Sequence, residues 1–235
     1  MKRRLPFEIV YEDRDLVAID KPAGLLSTHT RVQGRMAREA QPTAENILTD
    51  YLRKGQLKSR LRAWLVHRLD RDTSGVMVFA KTEALALALR ERWNDITEKT
   101  YVALVAGAMD TPEGVFESYL MEDADGYKVR SVPPPGKGAP RGGGGWAAPK
   151  LARTEWRVLS RRGADTLVEV KLKSGRKNQI RVHFSEAGHP VVGDVKYGGR
   201  KFRRLCLHSA SLALLNPVTG RQHLFVSRNA GAPPF

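Results

Sequence analysis

Apolar and polar positions alternate through Phe7-Glu8-Ile9-Val10-Tyr11-Glu12-Asp13, the period of a half-buried strand. Arg14-Asp15 can turn the chain, and Leu16-Val17-Ala18-Ile19-Asp20 returns as a second strand, so an opening hairpin is predicted. Lys21-Pro22-Ala23-Gly24 closes it, because proline has no N–H to give a ladder. A helix is predicted over 44–54, capped by Thr43, with Ile47, Leu48 and Tyr51 on one face. A second is predicted over 83–94 behind Thr82, with Leu85, Leu89 and Trp93 sharing a face. Between them, Val76-Met77-Val78-Phe79-Ala80 is an apolar run that reads as a buried strand. Strands are also predicted over 98–107, 154–159 and 165–172, the last two joined by a turn at Arg161-Arg162-Gly163. The whole last third reads as strand-rich. Residues 28–42, with Arg31, Arg35 and Arg38, read as a basic loop. Pro and Gly dominate 133–149, which reads as a flexible excursion within a single domain covering 1–235.

Charge adds a partner class to this picture. Lys and Arg number 40 against 25 acidic residues, a formal charge of +15, and such an excess favours polyanions, nucleic acid above all. Cys206 is the only cysteine, so no intrachain disulfide or thiolate metal cluster can form. Its neighbours Leu205 and Leu207 suggest an inert buried thiol, and the reducing cytoplasm is the expected compartment. The six histidines show no metal-ligand spacing. No apolar run reaches spanning length, and the N-terminus lacks the apolar core of a signal peptide.

The candidate chemistry lies in His67-Arg68-Leu69-Asp70-Arg71-Asp72-Thr73-Ser74-Gly75, a polar loop where the chain enters the strand at 76–80. A carboxylate flanked by arginines stays ionised, so Asp70 is either half of a structural ion pair or an anionic nucleophile. The full string resembles the catalytic motif of the RluA-type pseudouridine synthases. Three other stretches carry the same resemblance: Tyr11 to Leu25, Glu98-Lys99-Thr100-Tyr101, and Ser174 to Gly198 with Leu205-Cys206-Leu207-His208-Ser209-Ala210. Asp20 and Asn178 stand where the family pattern has Asn and His.

The resemblance implies an α+β catalytic domain with a central mixed, largely antiparallel sheet flanked by helices. It implies isomerisation of uridine in ribosomal RNA, tRNA or both, with no metal or other cofactor, no membrane and no obligate protein partner. Asp70 matches the essential aspartate, which attack at C1′, attack at C6 and a glycal route would all employ. Arg181 matches the arginine paired with that aspartate, with Arg176 the alternative, and Tyr101 offers a face and a hydroxyl to the uracil. Ile180 would cover the other face of the base, and Arg68 would help flip it from its stack. His67 fits either substrate contact or a loop-fixing role; Lys21 and Arg71 are candidates for phosphate contact. The amino-terminal S4 RNA-binding domain that many family members carry is not expected here, since the resemblance starts at the first hairpin. The competing expectation is a catalytically silent RNA-binding or ribosome-assembly protein on the same scaffold.

Overall fold

The computed structural model describes residues 5–29, 41–56, 58–135, 148–231, 233 and 235. The basic loop and the Gly/Pro excursion expected from the sequence therefore lie largely outside the described residues. The chain forms two compact units, 1–97 with 208–234 and 98–207 with 235.

In the first unit, β1 (Glu8–Glu12) and β2 (Leu16–Lys21) form the predicted antiparallel hairpin. Asp13 fixes its turn: one carboxylate oxygen accepts the N–H groups of Asp15 (2.8 Å) and Leu16 (2.7 Å). Helix α1 (Ala44–Arg53) starts at Thr43, whose hydroxyl accepts the Asn46 N–H at 3.2 Å. The short β3 (Trp64–Leu65) precedes β4 (Ser74–Ala80), and α2 (Glu83–Glu91) starts at Thr82. Both threonine caps act as predicted, because a cap is a local interaction. Much later in the chain, β10 (Leu207–Leu215) and β11 (Gln222–Val226) complete the unit. The strand order is β1-β2-β4-β10-β11, with β3 also on β4. These pairs are antiparallel except β4–β10, which run parallel through Ser74 and Gly75.

Every residue of β4 is buried. Alternate residues of three strands (Leu16 and Ala18, Val76 and Val78, Leu212 and Leu214) meet Leu85, Ala86 and Leu89 of α2. Period two in the strands and period three to four in the helix thus build one apolar layer. Gly75 allows β10 to lie against the start of β4. Its φ is +112°, and a Cβ there would fall 2.1 Å from the Ser209 carbonyl oxygen. Gly75→Ala is expected to destabilise the protein by about 2–5 kcal/mol, read as a lowered urea midpoint, from backbone strain and overpacking together. An unchanged midpoint would contradict this packing.

The second unit is an antiparallel sheet in the order β5-β9-β8-β6-β7. Its strands are β5 (Thr97–Ala106), β6 (Glu113–Glu122), β7 (Val129–Val132), β8 (Lys150–Arg162) and β9 (Asp165–Leu172). A helix, α3 (Gln179–Glu186), interrupts the part expected to be strand-rich. Its Val182 packs with Leu120, Val129, Ala152 and Tyr197, and its Phe184 meets Phe116 edge-on at 5.1 Å. Cys206 is buried, and burial pushes its thiol up to about 11 against the opposing pull of Arg204, Arg200 and Arg203. The mixed, largely antiparallel α+β class is as expected.

Candidate active site

The chemistry-bearing residues fall into two groups, one in each unit. In the first, the loop before β4 is tied down on both sides of Asp70. Leu69 is held by Ser27, whose hydroxyl accepts the Leu69 N–H at 3.1 Å and donates to the Leu69 carbonyl at 2.7 Å. Arg71 is held by its carbonyl, which accepts from the Gly24 N–H at 2.9 Å and from Lys21 Nζ at 3.0 Å. The Asp70 carbonyl accepts the Thr73 N–H at 3.2 Å, closing a turn. The aspartate thus projects, half-buried, from a backbone fixed at both flanking residues.

Lys21 is the surprise of this group. It is 0% exposed, and its ammonium also donates to the carbonyls of Pro22 (2.9 Å) and Leu25 (2.8 Å). A buried charge of this kind has to be solvated by fixed dipoles, here three carbonyls converging on one group. The phosphate contact expected of Lys21 is therefore corrected: it clamps the 21–27 segment to the Asp70 loop. His67 also works locally. Its Nε2 accepts the Val78 N–H at 3.0 Å and its ring stacks on Trp93 at 4.7 Å, contacts that hold the loop to β4 and the segment after α2. Arg68 and Arg71 are exposed; Arg71 also donates from Nε to the Gly24 carbonyl at 3.3 Å and sits 4.0 Å from Asp72.

Beyond the loop runs a polar chain that sequence reasoning missed. Asp20 accepts the Ser227 hydroxyl at 2.5 Å, and Ser227 meets His208 Nε2 at 2.8 Å. His208 Nδ1 meets the Ser74 hydroxyl, also at 2.8 Å. With the Ser227 proton given to Asp20, His208 is the donor to Ser227 from Nε2. Asp20, the residue that departs from the family pattern, thereby fixes the polarity of a chain ending four residues after Asp70. Ser74, His208 and Ser227 were individually unremarkable in sequence, and only the β4–β10 pairing brings them together.

In the second unit Tyr101 lies on β5 opposite Val170 and is 8% exposed. Lys99 stands two residues earlier on the same side of the strand. Burial, with the nearby Arg176 charge, brings its ammonium down to about 8. Arg176 itself donates to the Leu151 carbonyl at 3.0 Å. The loop into α3 is set by Gln179, whose amide oxygen accepts from Ser174 Oγ (2.8 Å) and Arg176 N–H (3.0 Å). Ile180 is buried in the first turn. Further along α3, His183 bonds Thr154 at 2.8 Å and Ser118 at 3.0 Å, and burial lowers its ring to about 4, keeping it neutral.

Arg181 is the centre of this group. Its Nε donates to Asp194 Oδ2 at 2.6 Å, one terminal nitrogen to Asp194 Oδ1 at 2.8 Å and the other to Asn178 Oδ1 at 3.0 Å. Asp194 is 1% exposed and Arg181 11%, so this is a planar, two-pronged ion pair largely out of water. The guanidinium also lies 5.1 Å from the Tyr197 ring, whose hydroxyl accepts from Asn178 Nδ2 at 2.9 Å and Val129 N–H at 3.0 Å. Asn178 adopts a left-handed conformation (φ +53°) that turns its side chain into this cluster at the head of α3. Asp194 was passed over in the sequence, although it sits in the matched string 188–198; the signal was a lone aspartate after a glycine.

Among the described residues, no helix is long and apolar enough to cross a membrane. The RNA pseudouridylate synthase sequence profile matches residues 15–186. The chain is 34% identical over 240 residues to ribosomal large subunit pseudouridine synthase D of Yersinia pestis, covering 94% of this chain and 66% of that protein. To an RNA pseudouridine synthase of Bacillus subtilis, YhcT, it is 31% identical over 217 residues, covering 90% and 65%. The chain thus spans just under two thirds of the length of these relatives. Its fold matches that of human RNA pseudouridylate synthase domain containing 4, with a TM-score of 0.69 at 24% identity, covering 94% of this chain and 87% of that one.

Proposed function

Since this chain belongs to the RNA pseudouridylate synthase family, we propose that it converts uridine in RNA to pseudouridine with Asp70 as the nucleophile. The observation that carries the reading is the backbone clamp around Asp70, with Leu69 and Arg71 both held by the 21–27 segment. A nucleophile gains from being fixed before substrate arrives, because little ordering is then left for the reaction itself. The conversion breaks the N1–C1′ bond, turns the uracil, and joins C5 to C1′. A proton leaves C5 and one is gained at N1, so atoms and electrons balance with no added oxidant or reductant.

In this reading Asp70 supplies the anionic oxygen, Tyr101 a ring face and hydroxyl for the base, and Arg181 the positive charge of the site. Ile180 lends apolar cover, while Arg68, exposed and planar, assists extrusion of the target base. Arg71 contacts phosphate, and Arg176, whose charge lies near Lys99, is the alternative to Arg181. In this reading large-subunit ribosomal RNA, which the names of two relatives carry, is the first substrate to test and tRNA the second, and the reducing cytoplasm is the compartment. The test is a pseudouridine map of total RNA from cells with and without the protein. Loss of one or a few sites, restored by re-expression, supports the reading; an unchanged map, together with no turnover of either RNA in vitro, overturns it.

A further inference from the structure

Residues 200–204 read Arg-Lys-Phe-Arg-Arg, four cations around one aromatic ring. Phe202 is 40% exposed, and the guanidinium carbons of Arg200 and Arg203 lie 5.7 and 5.6 Å from its ring centre. Arg200 is paired with Asp165, but Lys201 and Arg203 are exposed and have no carboxylate partner among the described residues. Like charges gathered in this way repel one another until a polyanion neutralises them. A second exposed ring accompanies them: Tyr127 is 61% exposed, with Lys196 Nζ 4.5 Å from its centre.

The loop that carries Lys196 and residues 200–204 is tied back on itself. Its ends are drawn together by Cys206 N–H on the Val192 carbonyl (2.9 Å) and Gly193 N–H on the Arg200 carbonyl (3.0 Å). A Cβ on Gly193 would come within 1.9 Å of the Arg204 carbonyl oxygen, and one on Gly199 within 2.2 Å of that of Val191. The same loop contains Asp194, the partner of Arg181. An exposed ring on a fixed backbone, flanked by unneutralised cations, is what a strand with unpaired bases requires. Bases stack on the ring and phosphates meet the cations, with little ordering cost on binding.

We infer that Phe202, with Lys201 and Arg203 beside it and Tyr127–Lys196 at the other end of the loop, is a binding platform for an unpaired stretch of the RNA substrate. Unpaired bases are the part of an RNA that aromatic side chains can engage, whereas duplex hides them. The inference rests on the RNA-modifying reading above and names which form of RNA the second unit grips.

The test measures affinity of the full chain for a labelled single-stranded RNA of about a dozen nucleotides and for a duplex of the same composition. Phe202→Ala is expected to weaken single-strand binding about 5- to 100-fold, and Phe202→Trp to restore it. Lys201→Gln and Arg203→Gln should each lower the slope of log affinity against log salt by about 0.7, while Phe202→Ala leaves that slope unchanged. Wild-type single-strand affinity in Phe202→Ala overturns the inference alone, as does equal weakening for duplex. So does a loss confined to binding of anionic phospholipid vesicles. Wild-type protein that binds neither RNA overturns the inference and the function beneath it.

Discussion

Asp70→Asn is expected to lower turnover by at least about 10⁴-fold, the scale on which removal of a nucleophile acts, while RNA affinity stays within about threefold of wild type. The asparagine has nearly the same shape, so it tests the anionic oxygen rather than the packing. The backbone frame of the loop is kept in the variant. Leu69 and Arg71 are held through backbone groups and the Asp70 contribution to the turn is its carbonyl, none of which the substitution touches. Circular dichroism should match wild type. Turnover near the wild-type rate in a pure preparation would remove Asp70 from the chemistry.

Asp194→Ala is expected to be among the most damaging single substitutions, at about 3–5 kcal/mol, the usual cost of stripping the partner from a buried charge. Arg181 is 11% exposed and two of its donors are fixed on that carboxylate at 2.6 and 2.8 Å. Activity should fall further than stability explains, because the guanidinium loses the carboxylate that orients it. Asp194→Asn should lie between the two, keeping an acceptor but not the charge. The double variant Arg181→Ala with Asp194→Ala should lose less stability than the two single losses added together, since both remove the same ion pair. If the double variant is instead less stable by the sum of its parts, the pair is not the unit described above.

The parts of the fold that were legible in the sequence are those whose cause is local. Thr43 and Thr82 cap their helices through hydroxyls three residues from the groups they satisfy. The hairpin turn is set by Asp13 within its own turn. Helix α3 was hidden for a physical reason: Ile180, Val182 and Phe184 alternate with Arg181 and His183, which is the period of a strand. The alternation misleads because His183 is buried rather than solvated, held by Thr154 and Ser118 from neighbouring strands.

The candidate site divides along the same line. The motif around Asp70 was legible as a loop into a buried strand, with its chemistry implied by resemblance. Lys21 read as a surface cation because nothing in the sequence shows three carbonyls converging on it. Asp194 and the Asp20–Ser227–His208–Ser74 chain were out of reach for a similar reason. Their partners meet only through a left-handed glycine at 193 and a parallel strand pair joining residues 134 positions apart.

The most direct measurement uses RNA carrying tritium at C5 of uridine, since joining C5 to C1′ must expel that hydrogen into water. Wild-type protein is expected to release tritium from one or a few uridines per RNA and then stop, with Asp70→Asn releasing none over the same time. Tritium release by Asp70→Asn at the wild-type rate, or none by either protein from ribosomal RNA and tRNA alike, would contradict the account.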